Sequence, residues 1–247
     1  MRLTSECRQH YNQHEMRTHG RKNGFVTKGQ EAKLTQWLPK IGMTNETTLA
    51  QTGLDLTQPI VLEVGFGNGD FLAHLAQTHL DWQMIGIEIY LPGVAKAVSK
   101  IDEVGVIERC RISQLPAQFV LNHLIPDQSL DGIFINHPDP WPKKKHFKRR
   151  IIQKDFAQLL TSRLKMGGFI KLASDIEELA IWMRDILDQT AGLQNLGTEN
   201  GFIPRDEDRP HTKFETRGLN AGRRSYFLHY QKIANTPNSE LLSTEAQ

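Results

Sequence analysis

One stretch of this 247-residue chain limits its fold more than any other: Pro59-Ile-Val-Leu-Glu-Val64, followed by Gly65-Phe-Gly67-Asn-Gly69 and Asp70. The first six residues form a short apolar run, the glycines interrupt it, and Phe71, Leu72, Leu75 and Ala76 then recur with a helical rhythm. The reading is strand, glycine turn, helix. The same alternation continues downstream. Residues 84–89, 104–112, 130–135 and 169–173 have strand composition, and residues 93–101, 117–124, 151–164 and 175–189 have helical composition. Strands separated by helices pair in parallel, so the pattern predicts an open α/β sheet with helices on both faces. Residues 225–231 alternate as a last strand, expected to close the sheet edge and to run antiparallel.

The predicted sheet domain spans residues 59–232. Residues 1–58 begin polar and basic, with Arg17, Arg21, Lys22 and Lys28, hold one helical piece near residues 30–38, and read as an arm laid across the sheet. Residues 233–247 lack apolar periodicity and are expected to form a disordered tail. No apolar run approaches the roughly 20 residues of a bilayer span, and the N-terminus offers no signal-peptide core. A cytoplasmic location with no membrane partner is expected. Two cysteines, Cys7 and Cys110, are too few for a disulfide framework or a thiolate zinc cage, and no histidine pair has ligand spacing with a third partner, so no metal is expected.

At 38% hydrophobic and 23% charged, the composition is that of an ordinary globular protein, but its charge is unevenly placed. The net charge is +2, and residues 143–150 (KKKHFKRR) hold six cations, which leaves the rest of the chain at net −4. Such a patch attracts polyanions, although a solvated helix end would have the same sequence.

In open α/β sheets ligands bind beyond the carboxyl ends of strands, which directs attention to Glu63, Gly65, Gly67 and Gly69. A dinucleotide fingerprint would need glycine where Asp70 stands, and the carboxylates of Glu63 and Asp70 flank the turn, so a pyrophosphate is disfavoured. Glu63 alone could be a strand-end cap. Together with three glycines, and with Glu88 placed 21 residues after Gly67 to take ribose hydroxyls, it suits a nucleoside with a cationic amino-acid tail. S-adenosylmethionine is that molecule.

After the fourth strand comes Asn136-His-Pro138-Asp139-Pro140-Trp141-Pro142, which leads into the basic run. Alternate prolines freeze φ and remove donors, so the loop is stiff and presents Asp139 and Trp141 beside the expected methyl donor. Taken singly, Trp141 could cover the core and Asp139 could cap a turn. The neighbouring cations favour a nucleic-acid backbone at this rim.

The stretch from Pro138 to Lys143 running into His146-Phe-Lys-Arg-Arg150, with Thr212-Lys213-Phe214-Glu215-Thr-Arg-Gly218, resembles the bacterial tRNA (guanine-N7)-methyltransferase family over about residues 17–232. The resemblance implies a Rossmann-like class I S-adenosylmethionine-dependent methyltransferase sheet, mostly parallel with an antiparallel edge strand. It implies transfer of a methyl group to N7 of a guanine in the tRNA variable loop. A monomer or homodimer is expected. Glu63, Glu88 and Asp139 are implied for the cofactor, with Asp139 also catalytic. Lys143, Asp175, Thr212, Lys213, Phe214 and Glu215 are implied for the RNA. The residues themselves leave other readings open. Ser174 and Glu177 form a capping-box pattern around Asp175, and residues 212–215 could be a plain surface turn, although Arg209, Arg217, Arg223 and Arg224 surround them. A small-molecule methyltransferase and a non-catalytic RNA-binding relative also remain as alternatives.

The family normally ends its third strand with an acid that helps hold the adenine; the matching position is Pro116, and Ser113-Gln-Leu-Pro116-Ala117 contains no carboxylate. A neutral acceptor such as Gln114 would forfeit on the order of 1 kcal/mol, or several-fold in affinity. This chain should therefore bind S-adenosylmethionine several-fold more weakly than relatives that carry the acid. Parallel calorimetric titrations would measure the difference, and equal dissociation constants would dismiss it.

Overall fold

The computed structural model describes residues 24–234 except 199, 208 and 211; the side chains of Lys213 and Phe214 also lie outside the described set. The basic residues of the arm before position 24, and all of the predicted tail except residues 233 and 234, therefore lie outside the described residues.

The elements run α1 (Lys28–Ile41), β1 (Gly42–Met43), β2 (Ile60–Val64), α2 (Asp70–Thr78), β3 (Gln83–Ile87), α3 (Leu91–Glu103), β4 (Cys110–Ser113), α4 (Ala117–His123) and β5 (Leu130–Asn136). They continue with α5 (Lys154–Arg163), β6 (Leu164–Ser174), α6 (Glu177–Asp188), β7 (Leu193–Asn195), α7 (Lys213–Asn220) and β8 (Tyr226–Lys232). One sheet has the order β1-β4-β3-β2-β5-β6-β8-β7, parallel except where β8 pairs with β6 and β7. The chain winds outward from β2 to β3 and β4, then returns to lay β5 on the other side of β2. That reversal places the topological switch point, where such sheets bind ligands, between the ends of β2 and β5.

Every residue of β2 is buried, because both faces are covered. Val61 packs with Leu72 and Leu75 of α2 and with Val94, Val98 and Ile101 of α3. Ile60, Leu62 and Val64 belong to a second cluster with Phe119 of α4, Leu160 of α5 and Met183 of α6. No described helix is long and apolar enough to cross a membrane.

Three departures from the sequence reading have local causes. Strand β4 covers only Cys110–Ser113; the apolar residues Val106 and Ile107 before it are buried in a turn and a short 3-10 helix rather than paired. Strand β8 is antiparallel but is not the edge, since the short β7 lies outside it. The arm is not merely laid on the sheet: Gly42 and Met43 pair with Ile112 and Ser113 of β4, and Leu49 and Leu54 enter the core.

The glycine turn is held by helix packing. Gly69 adopts φ +74, and a Cβ there would lie 2.4 Å from the Cβ of Ala97 in α3. Gly69→Ala combines a left-handed backbone with this clash and should cost about 2–4 kcal/mol. Thermal denaturation should then show a melting point lower by about 5–15 °C for a chain of this size; an unchanged value would mean that α2 and α3 can part without penalty.

Candidate active site

The carboxyl ends of β2, β3, β5 and β6 bring Glu63, Glu88, Asn136 and Asp175 to one edge of the sheet. Glu63 is 1% exposed. Its Oε1 accepts from Asn136 Nδ2 at 3.2 Å, while Oε2 is buried without a partner. Burial pushes its carboxyl up to about 8, against the opposing pull of the Asn136 hydrogen bond and the Arg209 charge. Beside it Gly65 (φ +76) and Gly67 (φ +58) face open space: a Cβ on either would meet nothing within 4 Å. The turn thus offers bare backbone and one under-satisfied acid.

Glu88 is engaged more locally than expected. Its Oε2 accepts from the Gly67 N–H and its Oε1 from the Tyr90 N–H, both at 2.9 Å, so it braces the glycine turn while lone pairs remain for a ligand. Burial raises its pKa, and the charge of Asp139 adds to that rise, which places these two acids within electrostatic reach of each other.

The loop carrying Asp139 is stiffer than its prolines alone require. His137 (φ +46) and Trp141 (φ +42) bracket Asp139 in left-handed conformations that non-glycine residues rarely adopt. Strain of this kind persists only where surroundings enforce it and gathers at functional sites. His137 is more than a loop residue: its side chain is buried, its Nδ1 lies 3.3 Å from Asp175 Oδ1, and burial lowers its pKa so that it is neutral at pH 7. Asp139 itself is exposed, and Arg149 stacks on the Trp141 ring at 5.0 Å.

The cations divide by burial. Lys143, Lys144, Lys145 and Lys148 are exposed. Arg150, by contrast, is 3% exposed, stacks on Phe147, and donates to Pro140 O and Glu178 Oε1, so it anchors the loop and cannot serve a phosphate. Arg209 is also interior. Asp175 accepts from Nε and Nη2 of Arg223, at 2.9 and 2.7 Å, and this contact helps keep its carboxyl below the usual range. The capping box expected from Ser174 and Glu177 does not form; Ser174 Oγ accepts instead from the Ile176 N–H.

Thr212 and Glu215 do form a capping box, at the start of α7, so residues 212–215 are not a plain turn. The buried Glu215 also accepts from Arg205 Nε at 2.9 Å. Lys213 and Phe214 place their backbone in the first turn of this helix. Among the described residues no group of three acidic, cysteine or histidine side chains could hold a metal. The sequence reading passed over Asn136 and the interior role of Arg209; the strand-end position that marked Glu63 marks Asn136 equally.

A parallel sheet with this switch point and an acid-lined glycine turn defines a Rossmann-like methyltransferase fold. The 16S rRNA methyltransferase KamB has the same fold, with a TM-score of 0.53 at 11% identity over 76% of this chain and 95% of that one. A family model described as "Putative methyltransferase" matches residues 57–228. A tRNA (guanine-N(7)-)-methyltransferase of Edwardsiella ictaluri is 37% identical over 88% of this chain and 92% of its own length. Its counterpart in Methylobacillus flagellatus is 40% identical over 81% and 84%. The chain belongs to the tRNA (guanine-N7)-methyltransferase family. S-adenosylmethionine is the methyl donor that this family and fold imply, and the unpartnered Glu63 oxygen beside open glycine backbone fits its cationic tail.

Because the Glu63 carboxyl is raised from 4.5 to about 8, the folded chain holds a proton that the unfolded chain releases, and stability falls as pH climbs through that window. This group can contribute a slope of up to ~1.4 kcal/mol per pH unit. Urea denaturation from pH 5 to 8 should show that slope in the wild type and its loss in Glu63→Gln, with the variant the more stable of the two at pH 8. Parallel profiles would refute an isolated acid at this position.

Proposed function

We propose that this protein transfers the methyl group of S-adenosylmethionine to N7 of a guanine in the variable loop of tRNA. The observation that carries the reading is the shared sheet edge: the buried Glu63 acid and the glycine turn on one side, and the rigid Asp139 loop running into exposed lysines on the other. The names of the relatives supply the base and the RNA. We place the reaction in the cytoplasm, by a monomer or homodimer. Residues 59–232 act as the methyltransferase domain, with the basic segment before them as an arm and the residues from 233 onward as a tail.

S-adenosylmethionine, when bound, offers an electrophilic methyl group that the N7 lone pair takes as the carbon–sulfur bond breaks to leave a neutral thioether. Guanine N7 carries no proton, so no side chain has to act as a strong base. The work of the protein is alignment, which can supply about 7–11 kcal/mol for well-oriented reactants. Glu63 receives the cofactor amine, Gly65, Gly67 and Gly69 admit the cofactor against bare backbone, and Glu88 takes the ribose. Asp139, held between two strained residues, orients the purine and stabilises the positive charge that develops on it. Lys143 and the lysines after it hold phosphates. Asp175, pinned by Arg223, and the start of α7 with Thr212, Lys213, Phe214 and Glu215 form the RNA side.

Purified protein, labelled S-adenosylmethionine and unmodified tRNA should yield 7-methylguanosine on mass analysis of the digested nucleosides. Label in another nucleoside, or in none, would defeat the reading. Asp139→Ala should lower single-turnover rates by orders of magnitude while thermal unfolding stays unchanged, since the side chain is exposed; a near-wild-type rate removes Asp139 from the chemistry. Replacing Lys143, Lys144 and Lys145 with alanine should weaken tRNA binding and flatten its log–log salt dependence by about 0.7–0.9 for each phosphate left without its lysine. An unchanged slope would make these lysines a solvated face.

A further inference from the structure

A second buried cation of the site lies outside the basic run. Arg209 is 8% exposed, and its guanidinium lies over the rings of Phe71, at 4.7 Å, and Phe227, at 5.2 Å. Its Nη2 donates to Asn136 Oδ1 at 2.5 Å, while its Nε is buried without a partner. A guanidinium has donors only, so it dictates which way the Asn136 amide faces: the oxygen turns to Arg209 and the NH2 is left for Glu63. That NH2 donates to Glu63 Oε1, and Glu63 Oε2 has no partner.

We propose that Arg209 is a positioning residue for cofactor capture: acting through the Asn136 amide, it fixes one oxygen of Glu63 and leaves the other as acceptor for the amine of the methyl donor. The proposal rests on the reading that Glu63 receives that amine. The geometry explains why a buried arginine sits behind a buried acid without touching it. A direct ion pair would occupy both carboxylate oxygens, whereas the interposed amide takes up one. It also explains the position of Arg209 in the chain. The segment leading into α7 carries Arg209, whose carbonyl oxygen accepts from Arg205, and Arg205 Nε donates to Glu215 Oε1. One chain of hydrogen bonds thus links the capping box of α7 to the acid at the end of β2.

The charges facing Glu63 set the direction of the effect. Arg209 and the Asn136 N–H favour the carboxylate, whereas burial and the charges of Glu88 and Asp70 oppose it. Removing the guanidinium or the amide should make Glu63 hold its proton more tightly. For every pH unit by which its midpoint rises, affinity for an amine-bearing ligand at pH 7 falls about tenfold.

The test is a carbon-13 NMR titration of the Glu63 carboxyl in the full-length chain without cofactor, with the signal assigned by its loss in Glu63→Gln. Wild type, Arg209→Met and Asn136→Ala are compared, together with the pH dependence of S-adenosylhomocysteine binding. The ligand's own amine titrates alike in all three and cancels from the comparison. Both variants should raise the Glu63 midpoint and weaken S-adenosylhomocysteine binding at pH 7 about tenfold or more, with recovery at higher pH. Should Arg209→Met fail to fold, Asn136→Ala carries the test alone, because it leaves the arginine in place. Unmoved midpoints overturn the proposal, and a shift confined to Arg209→Met overturns the relay through Asn136. Wild-type protein that titrates as expected yet binds no S-adenosylhomocysteine would bring down the underlying reading of Glu63, and the proposal with it.

Discussion

A carboxyl group buried at the end of a central parallel strand is costly to ionise, and Glu63 is such a group. Burial raises its proton affinity; one amide and one distant guanidinium lower it, and together they leave it poised near neutrality with one buried oxygen unpartnered. An incoming cation meets little competition from water there. The surroundings serve this arrangement: the glycine turn keeps side chains away, Glu88 ties that turn to β3, and Arg209 is held between Phe71 and Phe227 where it cannot collapse onto the acid.

The opposite rim follows a different rule. Lys143, Lys144, Lys145 and Lys148 stay in water, whereas Arg149, Arg150, Arg205 and Arg223 stack on rings or pair with carboxylates of the protein itself. The division follows from the side chains. A planar guanidinium stacks on rings and binds carboxylates with several donors, while a strongly hydrated ammonium gains most by remaining exposed. A cluster that reads as one polyanion site in the sequence is therefore a lysine face supported by an arginine framework.

The central architecture was legible because burial on both faces leaves its mark in composition. The run from Ile60 to Val64, the three glycines and the apolar rhythm of α2 fix strand, turn and helix with little ambiguity. Elements whose residues are placed by pairing rather than by pattern were not legible. Strand β7 has three half-buried or exposed residues, and β1 is only two residues long, Gly42 and the buried Met43, so neither carries a periodic signal. Val106 and Ile107 misled in the opposite sense, since apolar residues can be buried in a turn as readily as in a strand. At the site, residue type singled out Glu63, Glu88 and Asp139 as candidates, but charge alone does not reveal burial. Arg150 and Arg209 therefore looked like phosphate ligands, and Asn136, uncharged between an apolar strand and a proline loop, attracted no notice.

If a poised buried acid is the heart of the cofactor site, cofactor binding must move a proton. At pH 7 a carboxyl with a pKa of about 8 is mostly protonated, and pairing with an ammonium group should ionise it. Calorimetric titration of S-adenosylmethionine into the protein, in buffers of different ionisation enthalpy, counts protons directly. The account predicts release of nearly one proton per cofactor bound at pH 7, less a small uptake by the cofactor amine, whose pKa is about 7.7–8.0. Binding without proton release, or no binding at millimolar cofactor, would contradict it.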